Sequence, residues 1–246
     1  LASENAGYIS GQSLPVDGRY SGYVLLINFA SKNIVVIGAS SGIGRGIASS
    51  FIEKGADVCI TGTRESIADY DEEITENIKK CVYRKLDLSE TDNLKKLSLP
   101  FDNIHTLVCS QGIVAYDRKE FEIDTFKKII DLNLNSVMAS CSFFHENLVK
   151  NKGSIVIIGS GASYHAVKGN PAYSASKGGL LTLIKTLAEA WAINGVRVNG
   201  IAPGYVATKL TEVTFGNEKR YENSLKNIPL KRWGSPKDMG EVCCFL

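Results

Sequence analysis

Residues 33–47, NIVVIGASSGIGRGI, predict a β-strand, a glycine turn and an α-helix in immediate succession. The apolar run 34–37 is the strand. Gly38, Gly42 and Gly44 then follow with the spacing G-x-x-x-G-x-G, which permits a tight turn and a close approach of the backbone to a pyrophosphate. The free N–H groups at the start of the helix would face the phosphates. The same glycines would also suit an ordinary tight turn, so other motifs have to decide.

Composition indicates one ordinary globular domain spanning residues 1–246, with 44% hydrophobic and 22% charged residues. A net charge of +2 without a run of Lys and Arg argues against a nucleic-acid partner. The six cysteines lack the spacing of a metal site or a disulfide framework, so we expect no metal and a reducing, cytoplasmic location. No apolar run approaches the roughly 20 residues of a membrane span, and no secretory signal is recognisable.

Strands and helices alternate along the chain. After the opening strand and helix, the patterns predict strands at 56–61, 82–86, 104–109, 155–158 and 196–201, and helices at 65–80, 90–97, 123–142 and 170–193. This alternation predicts an α/β fold with a single doubly wound parallel sheet, of the Rossmann type, and helices on both faces. The polar, mixed segment 205–230 is the expected substrate lid.

The two ends of the chain predict a circularly permuted order. Residues 1–3 resemble the tail of a helix, residues 13–16 a strand closed by Asp17-Gly18, and residues 235–246 a helix capped by Ser235. We expect one helix split across the ends, with Leu1 close to Leu246. Residues 1–18 would then be the last part of the fold and 19–32 the joining segment. The sixteen residues 17–32 reach about 50 Å, which exceeds a sideways crossing of roughly 19 Å plus about one strand length along the sheet.

The residues after the second and third strands bear on the cofactor. Dinucleotide folds that bind NAD place an acid after the second strand, where it holds the ribose hydroxyls. Thr63 and Arg64 stand there instead, and a hydroxyl with a guanidinium favours the 2′-phosphate of NADP(H) over NAD(H), although Arg64 could also be a solvated loop charge. Asp87 ends the third strand, where its carboxylate could meet an adenine amino group.

Polar side chains also mark the second half of the predicted sheet. Ser160 lies just beyond the carboxyl end of a buried strand, the edge at which open α/β sheets bind ligands. Tyr173 and Lys177 are four residues apart in a helix with Asn170 as its cap, and so share one face. Asn133 lies among apolar residues of a predicted helix and needs a hydrogen-bond partner if it is buried.

Together these segments resemble the short-chain dehydrogenase/reductase family. The matching motifs are GASSGIG (38–44), LDL (86–88), LNLNS (132–136), YSASK (173–177), RVNGIAPGYVATKL (197–210) and RWGSPKDMGEVCCFL (232–246). Ser160 precedes Tyr173 by thirteen residues, and SGQSLPVDG (10–18) is similar to the usual end of such proteins, which agrees with the permutation. The family's Asn-Asn-Ala-Gly is replaced here by Cys109-Ser110-Gln111-Gly112, and Ser41 stands where many NADP enzymes have Arg.

The resemblance implies a catalytic tetrad of Asn133, Ser160, Tyr173 and Lys177. Tyr173 would exchange a proton with the substrate oxygen, its pKa of about 10 lowered by Lys177 and the nicotinamide ring. Ser160 would hydrogen-bond that oxygen, and Asn133 would hold the proton path beyond Lys177. The implied cofactor contacts are Gly38, Ser40, Ser41, Gly42, Ile43, Gly44, Thr63, Arg64, Asp87, Leu88, Cys109, Gly112, Tyr173, Lys177, Pro203, Gly204, Val206 and Thr208.

By this resemblance we expect an NAD(P)-dependent oxidoreductase that interconverts a ketone and a secondary alcohol by hydride transfer. A carbonyl reductase similar to 3-oxoacyl thioester reductases is the first interpretation, and a polyol or sugar dehydrogenase is the alternative. A cofactor-binding scaffold or regulator without turnover is a third hypothesis, of another class. The expected partners are a small carbonyl or alcohol substrate and further copies of the chain, as a dimer or tetramer, with neither nucleic acid nor membrane involved.

Overall fold

A computed structural model describes residues 27–70 and 76–246, together with the backbone of residues 13–16. Four expectations from the sequence lie outside the described residues. They are the helix tail at 1–3, the turn at Asp17-Gly18, the proximity of Leu1 to Leu246, and most of the joining segment 19–32.

Within the described residues the sheet has seven strands, all paired in parallel, in the order β1-β7-β6-β5-β2-β3-β4. The strands are β1 (Ser13–Val16), β2 (Asn33–Ile37), β3 (Asp57–Gly62), β4 (Val82–Lys85), β5 (Thr106–Cys109), β6 (Ser154–Ile158) and β7 (Arg197–Pro203). The chain runs outward from β2 to β4 and then returns to β5 on the other side of β2. The strand order therefore reverses between β2 and β5, and ligands bind at such a switch point in open α/β sheets.

Helices cover both faces of the sheet, as the alternating pattern predicted. They are α1 (Gly42–Glu53), α2 (Glu76–Lys79), α3 (Ile123–Ile130), α4 (Ser136–Asn151), α5 (Pro171–Trp191), α6 (Glu212–Phe215), α7 (Glu218–Lys226) and α8 (Pro236–Phe245). Ile34 and Val36 of β2 face the core beneath α1 and α8, whereas Val35 and Ile37 face the core beneath α4 and α5. Both faces of this central strand are buried, which explains its unbroken apolar sequence.

Helices α1 and α8 approach each other almost backbone to backbone. A Cβ added to Gly46 would lie 2.4 Å from Cβ of Pro236, and one added to Gly240 would lie 2.8 Å from the carbonyl oxygen of Gly46. The predicted cap of α8 is confirmed, because the Ser235 hydroxyl accepts the amide of Asp238 while the Asp238 carboxylate accepts the amide of Ser235. Within the described ranges, no helix has the length and apolar character needed to cross a membrane.

Two predicted helices are shorter than their sequence patterns indicate. In the region 65–80 the described residues form a 3₁₀ turn, Ile67–Asp69, and the single-turn α2. Ser66 and Asp69 cap this turn reciprocally and Tyr70 leaves it in an extended conformation, so no continuous helix can begin at Ser66. The helix predicted at 90–97 is a 3₁₀ helix, Thr91–Lys96.

The long helix predicted at 123–142 is interrupted by a π-helical turn, Asp131–Asn135, between α3 and α4. Asn133 lies at its centre and is fully buried. Its side-chain oxygen accepts the Ile113 amide at 2.8 Å, and its Nδ2 donates to the Ile113 carbonyl at 2.9 Å. The widened turn thus brings a buried amide side chain against the loop that follows β5, and such π-turns are frequent at functional sites.

Candidate functional site

A cavity of about 360 Å³ lies at the switch point between β2 and β5. It is lined by most of the residues predicted from the sequence: Gly38, Ser40, Ser41, Gly42, Ile43, Gly44, Thr63, Leu88, Gly112, Ser160, Tyr173, Lys177, Pro203, Gly204, Val206 and Thr208. The predicted site residues that do not line it are Asn133, Arg64, Asp87 and Cys109.

The glycine turn at one end of the cavity fits a pyrophosphate. Gly38 has φ +73°, and a Cβ there would lie 2.7 Å from the amide nitrogen of Gln111. A Cβ on Gly44 would lie 2.4 Å from the carbonyl oxygen of Gly38, so the turn tolerates no side chain at either position. Among the described residues no side chain caps the start of α1, and its first turn contains no acid. The positive end of α1 lines the cavity, where it would attract an anion.

A cluster of hydroxyl groups follows β3, at the predicted ribose end of the cavity. The Tyr70 phenol oxygen accepts the Arg64 amide at 2.9 Å, lies 3.4 Å from Oγ1 of Thr63 and hydrogen-bonds Ser40. Burial raises the pKa of Tyr70, but these hydrogen bonds outweigh burial and lower the pKa to about 8. The Arg64 guanidinium lies over the Tyr70 ring, 4.9 Å from its centre, and donates to the Asp69 carbonyl. Arg64 therefore covers Tyr70 rather than lining the cavity.

Asp87 and Cys109 also lie outside the cavity lining, for local reasons. The Asp87 carboxylate accepts the Ser89 amide at 2.9 Å, a turn contact that lowers the pKa of Asp87, while Leu88 lines the cavity beside it. Cys109 is the last residue of β5, and its thiol is buried in the core beside Cys141. Side chains alternate along a strand, so the residues that follow Cys109 reach the cavity instead.

Ser160, Tyr173 and Lys177 meet on the opposite wall of the cavity. The Ser160 hydroxyl hydrogen-bonds the Tyr173 phenol and also accepts the Ala162 amide at 3.1 Å. The Lys177 ammonium donates to the Ile158 carbonyl at 2.9 Å and lies 5.7 Å from the centre of the Tyr173 ring. Burial lowers the pKa of Lys177 to about 8.

The pKa of Tyr173 reflects several groups around its phenol. Burial raises it above its ordinary value, the Ser160 hydrogen bond opposes this, and Tyr116 and Glu120 raise it further. Together these groups favour the protonated phenol. The lowering that the resemblance implies, by Lys177 together with a bound nicotinamide ring, stays a prediction.

Asn133 stands behind the cavity wall rather than in it. Besides its two bonds to Ile113, its Nδ2 donates to the Ser176 hydroxyl of α5 at 3.2 Å. A Cβ added to Gly112 would lie 3.5 Å from Oδ1 of Asn133 and 3.6 Å from Nζ of Lys177. Asn133 thus ties the loop after β5 to α5 next to Lys177.

Comparison with known proteins agrees with this arrangement. The model of a protein family described as enoyl-(acyl carrier protein) reductase matches residues 38–246, which include the glycine turn and the tyrosine wall. The chain belongs to the short-chain dehydrogenase/reductase family. As a short-chain dehydrogenase/reductase it is an NAD(P)-dependent oxidoreductase, which confirms the family and the enzyme class predicted from the motifs.

Relatives of this short-chain dehydrogenase/reductase carry more than one activity. A 2-dehydro-3-deoxy-D-gluconate 5-dehydrogenase of Bacillus subtilis (strain 168) is 33% identical over 220 residues, covering 87% of each chain. A 3-oxoacyl-(acyl-carrier-protein) reductase FabG of Chlamydia pneumoniae is 33% identical, covering 89% of this chain and 91% of its own. A solved structure from Beutenbergia cavernae, provisionally assigned as an NAD(P)-dependent gluconate 5-dehydrogenase with NADP bound at low occupancy, is 29% identical; the match has a TM-score of 0.79 and covers 89% of this chain and 90% of that one.

Several residues at this dehydrogenase/reductase site were not predicted from the sequence. Tyr70 follows the capped turn at Ser66, and Glu120 lies in the charged run 117–122, so both resemble ordinary surface residues in the sequence. Lys209 and Leu210 line the cavity from the predicted lid, and the Tyr116 hydroxyl donates to the Leu210 carbonyl. The contacts of Tyr116 with Leu210 and of Glu120 with Tyr173 join segments distant along the chain, which sequence periodicity does not report.

Proposed function

We propose that the protein interconverts a ketone and a secondary alcohol, with Tyr173 exchanging a proton with the substrate oxygen. The observation that carries this proposal is the meeting of the Ser160 hydroxyl, the Tyr173 phenol and the buried Lys177 ammonium on one wall of the glycine-cradled cavity. A bound nicotinamide cofactor would supply or accept the hydride at the substrate carbon. Gly38, Gly42 and Gly44 would hold its pyrophosphate against the start of α1.

The roles of the tyrosine wall follow from its hydrogen bonds. In the direction of reduction the protonated Tyr173 phenol donates to the carbonyl oxygen as negative charge develops there. Ser160 donates to the same oxygen and keeps it in line with the phenol. Lys177, held by the Ile158 carbonyl, places a positive charge near the Tyr173 ring when the ammonium is protonated. Asn133 fixes the loop and the helix that flank Lys177.

For the substrate we propose a 3-oxoacyl thioester or a similar ketone, with a sugar acid or small polyol as the second candidate. Ile113 and Leu210 add apolar side chains to the cavity lining, which suits an acyl chain. The gluconate-type relatives favour the second candidate. We also propose that residues 205–230 act as a lid, because Leu210 lines the cavity and its carbonyl accepts the Tyr116 hydroxyl.

A substrate panel tests this function. Steady-state absorbance at the nicotinamide band should show oxidation of the reduced cofactor with an acetoacetyl thioester, and a lower kcat/KM with keto sugar acids. The reverse ranking would assign the protein to the second candidate. Cofactor binding without consumption on any ketone or alcohol of the panel would indicate a scaffold and contradict the proposal.

For the cofactor we propose a preference for NADP(H) over NAD(H). The hydroxyls of Ser40, Thr63 and Tyr70 converge after β3, and among the described residues that line the cavity there is no carboxylate. A carboxylate there would bind the ribose hydroxyls of NAD and repel a 2′-phosphate. The Arg64 guanidinium lies at this edge over the Tyr70 ring and adds positive charge.

Replacing Arg64 with Asp should shift the preference toward NAD(H). The change exchanges a positive charge for the acid that is missing after β3, so the kcat/KM ratio of NADPH to NADH should fall by about tenfold, because the site is exposed and screened. Initial rates with both reduced cofactors measure the ratio. Lys95→Asp, the same charge reversal on an exposed residue paired with Asp92, is the control and should leave the ratio in place. An unchanged ratio in Arg64→Asp would exclude a role for Arg64.

We further propose that the chain is one domain with circularly permuted order, in which residues 1–18 act as its last segment. Strand β1 precedes every other described strand in the sequence, yet it pairs in parallel with β7, from Ser13 beside Gly200 to Val16 beside Pro203. In an unpermuted α/β chain, a strand at this edge would follow α8 through a right-handed crossover. Here the edge position beside β7 is occupied by β1, which precedes α8 in the sequence by more than 200 residues.

A reordered variant, with residues 19–246 followed directly by residues 1–18, should keep the turnover and the unfolding temperature of the parent chain. A second variant that lacks residues 1–18 should unfold several degrees lower, because β7 loses the main-chain hydrogen bonds of its neighbour. Calorimetry and initial rates on the three chains measure both effects. A reordered variant that does not fold, or a shortened variant as stable as the parent, would contradict the permutation.

We also propose that the protein forms a homo-oligomer, a dimer or a tetramer. Phe143 of α4 has 41% of its surface exposed, and a Cβ added to Gly178 of α5 would meet nothing within 4 Å. An exposed aromatic ring and small residues on adjacent helices suit close packing against a second copy. Light scattering in solution should give a mass of two or four chains.

A further inference from the structure

Glu120 is a fully buried carboxylate next to the catalytic helix. It lies in a 3₁₀ turn, Lys119–Phe121, between β5 and α3, and its residue exposure is 0%. Its Oε1 accepts the Ala115 amide at 3.1 Å and the Nδ2 of Asn170 at 3.0 Å, while its Oε2 accepts the Tyr173 amide at 2.9 Å. A carboxylate that is removed from water in this way has to be compensated by its partners.

The three hydrogen-bond partners of Glu120 indicate that its carboxylate is ionised and what it does. All three are N–H donors, so an ionised carboxylate, which is acceptor-only, matches them. Tyr173 belongs to the first turn of α5, whose positive helix end adds to this match. Asn170 was expected to cap α5 but makes no side-chain cap bond, and its Nδ2 also donates to the Ala115 carbonyl at 2.9 Å. Glu120, from a distant segment, therefore satisfies the start of α5.

We propose that Glu120 is a positioning residue for Tyr173: its carboxylate fixes the backbone of Tyr173 and sets a negative charge against the phenol. The inference rests on the proposed role of Tyr173 in proton exchange. Glu120 holds the residue through its own amide, so the phenol is placed relative to Ser160 by a contact outside the cavity. One carboxylate thereby controls both where the phenol stands and how readily it ionises.

The charge of Glu120 acts together with three other groups that face the phenol. Burial raises the pKa of Tyr173, the Ser160 hydrogen bond opposes that shift, and Tyr116 and Glu120 add to it. The Lys177 ammonium, 5.7 Å from the ring centre, is engaged by the Ile158 carbonyl. Removing the Glu120 charge should therefore lower the pH at which Tyr173 loses its proton. Retaining that charge keeps the phenol protonated, which suits donation to a carbonyl during reduction.

Glu120→Gln tests the electrostatic part. The Gln side chain keeps an oxygen for the Tyr173 amide but loses the charge. In the dependence of kcat/KM on pH, the limb that reports ionisation of Tyr173 should therefore move to lower pH in both reaction directions. Glu122→Gln removes a neighbouring exposed carboxylate and should leave the limb in place. A Glu120→Gln limb that coincides with that of the parent, even with a lowered kcat, would overturn the proposal, because a purely structural role lowers kcat alike at every pH.

Glu120→Asp tests the positioning part, and it carries the test alone if Glu120→Gln does not fold. Its carboxylate keeps the charge but is one methylene shorter, so kcat should fall while the pH limb stays. An unchanged kcat in Glu120→Asp, or a limb that moves, would contradict the inference. Failure of this inference and failure of the proposed function are distinguishable: if Tyr173→Phe is inactive while Glu120→Gln has the parental limb, only the role of Glu120 falls.

Discussion

Tyr173→Phe should lower kcat on the order of 10³-fold while the dissociation constant of NADPH stays close to that of the parent protein. The ring remains and only the hydroxyl is lost, so the cavity keeps its shape. Ser160 can still hydrogen-bond the substrate oxygen, but no group with the geometry of the phenol remains to give that oxygen a proton. Steady-state absorbance with a ketone substrate measures kcat, and fluorescence titration measures cofactor binding.

The control for Tyr173→Phe is Tyr221→Phe. Tyr221 packs its ring against Trp233 outside the cavity lining, with ring centres 5.5 Å apart, and should keep nearly full activity as Phe. Substantial remaining activity in Tyr173→Phe would remove Tyr173 from proton exchange. A large loss of NADPH affinity would instead show that the hydroxyl acts in binding.

Gly38→Ala should weaken NADPH binding by at least about tenfold and also lower the unfolding temperature. Two costs combine at this position. The residue has φ +73°, which costs a non-glycine residue about 1–2 kcal/mol, and the new Cβ would lie 2.7 Å and 2.8 Å from the amide nitrogen and Cα of Gln111. Those backbone atoms belong to the loop after β5, which lines the cavity, and cannot move without deforming it. Fluorescence titration and calorimetry measure the two effects.

Gly55→Ala separates the two costs. Gly55 also has positive φ, +89°, but an added Cβ would meet its nearest neighbour, the amide of Ala30, at 3.6 Å, an ordinary contact. This variant carries the backbone strain outside the cavity, so it should be less stable than the parent yet bind NADPH normally. If Gly38→Ala binds cofactor as tightly as Gly55→Ala does, the glycine turn is not the cofactor cradle.

The parts of the site that could be predicted are those encoded by short local patterns. The geometry of the glycine turn at 38–44 and of the Tyr173–Lys177 pair can be predicted locally, because a turn and one helix face involve only residues that are close together in the sequence. The directions of the Asp87 and Cys109 side chains depend on a turn contact and on the alternation of side chains along a strand, which their positions at strand ends do not reveal; their contact with a cofactor stays a prediction. The direction of the Tyr173 pKa shift could not be predicted either, because it depends on burial and on the neighbouring Tyr116 and Glu120.

Long-range contacts explain why the sequence did not reveal Glu120 or the hydrogen-bond partners of Asn133. Glu120 meets Tyr173 across 53 residues of chain, and Asn133 meets Ser176 across 43. No periodicity links such pairs. The interruption of the helix at Asp131–Asn135 was missed for the same reason, since the apolar pattern of 123–142 continues across it while the Ile113 backbone holds Asn133.

The π-turn at Asp131–Asn135 has a consequence for exchanging segments between relatives. It accommodates one more residue than an α-helical turn would, so deleting one residue there should close it into a regular α-helical turn while α3 and α4 keep nearly the same relative orientation. Such a deletion would withdraw the Asn133 side chain from the Ile113 backbone, and the loop after β5 would lose both of those hydrogen bonds. Chimeras joined within α3 or α4 should therefore keep the same number of residues across 131–135. Keeping this length matters more than the sequence similarity of the joined segments.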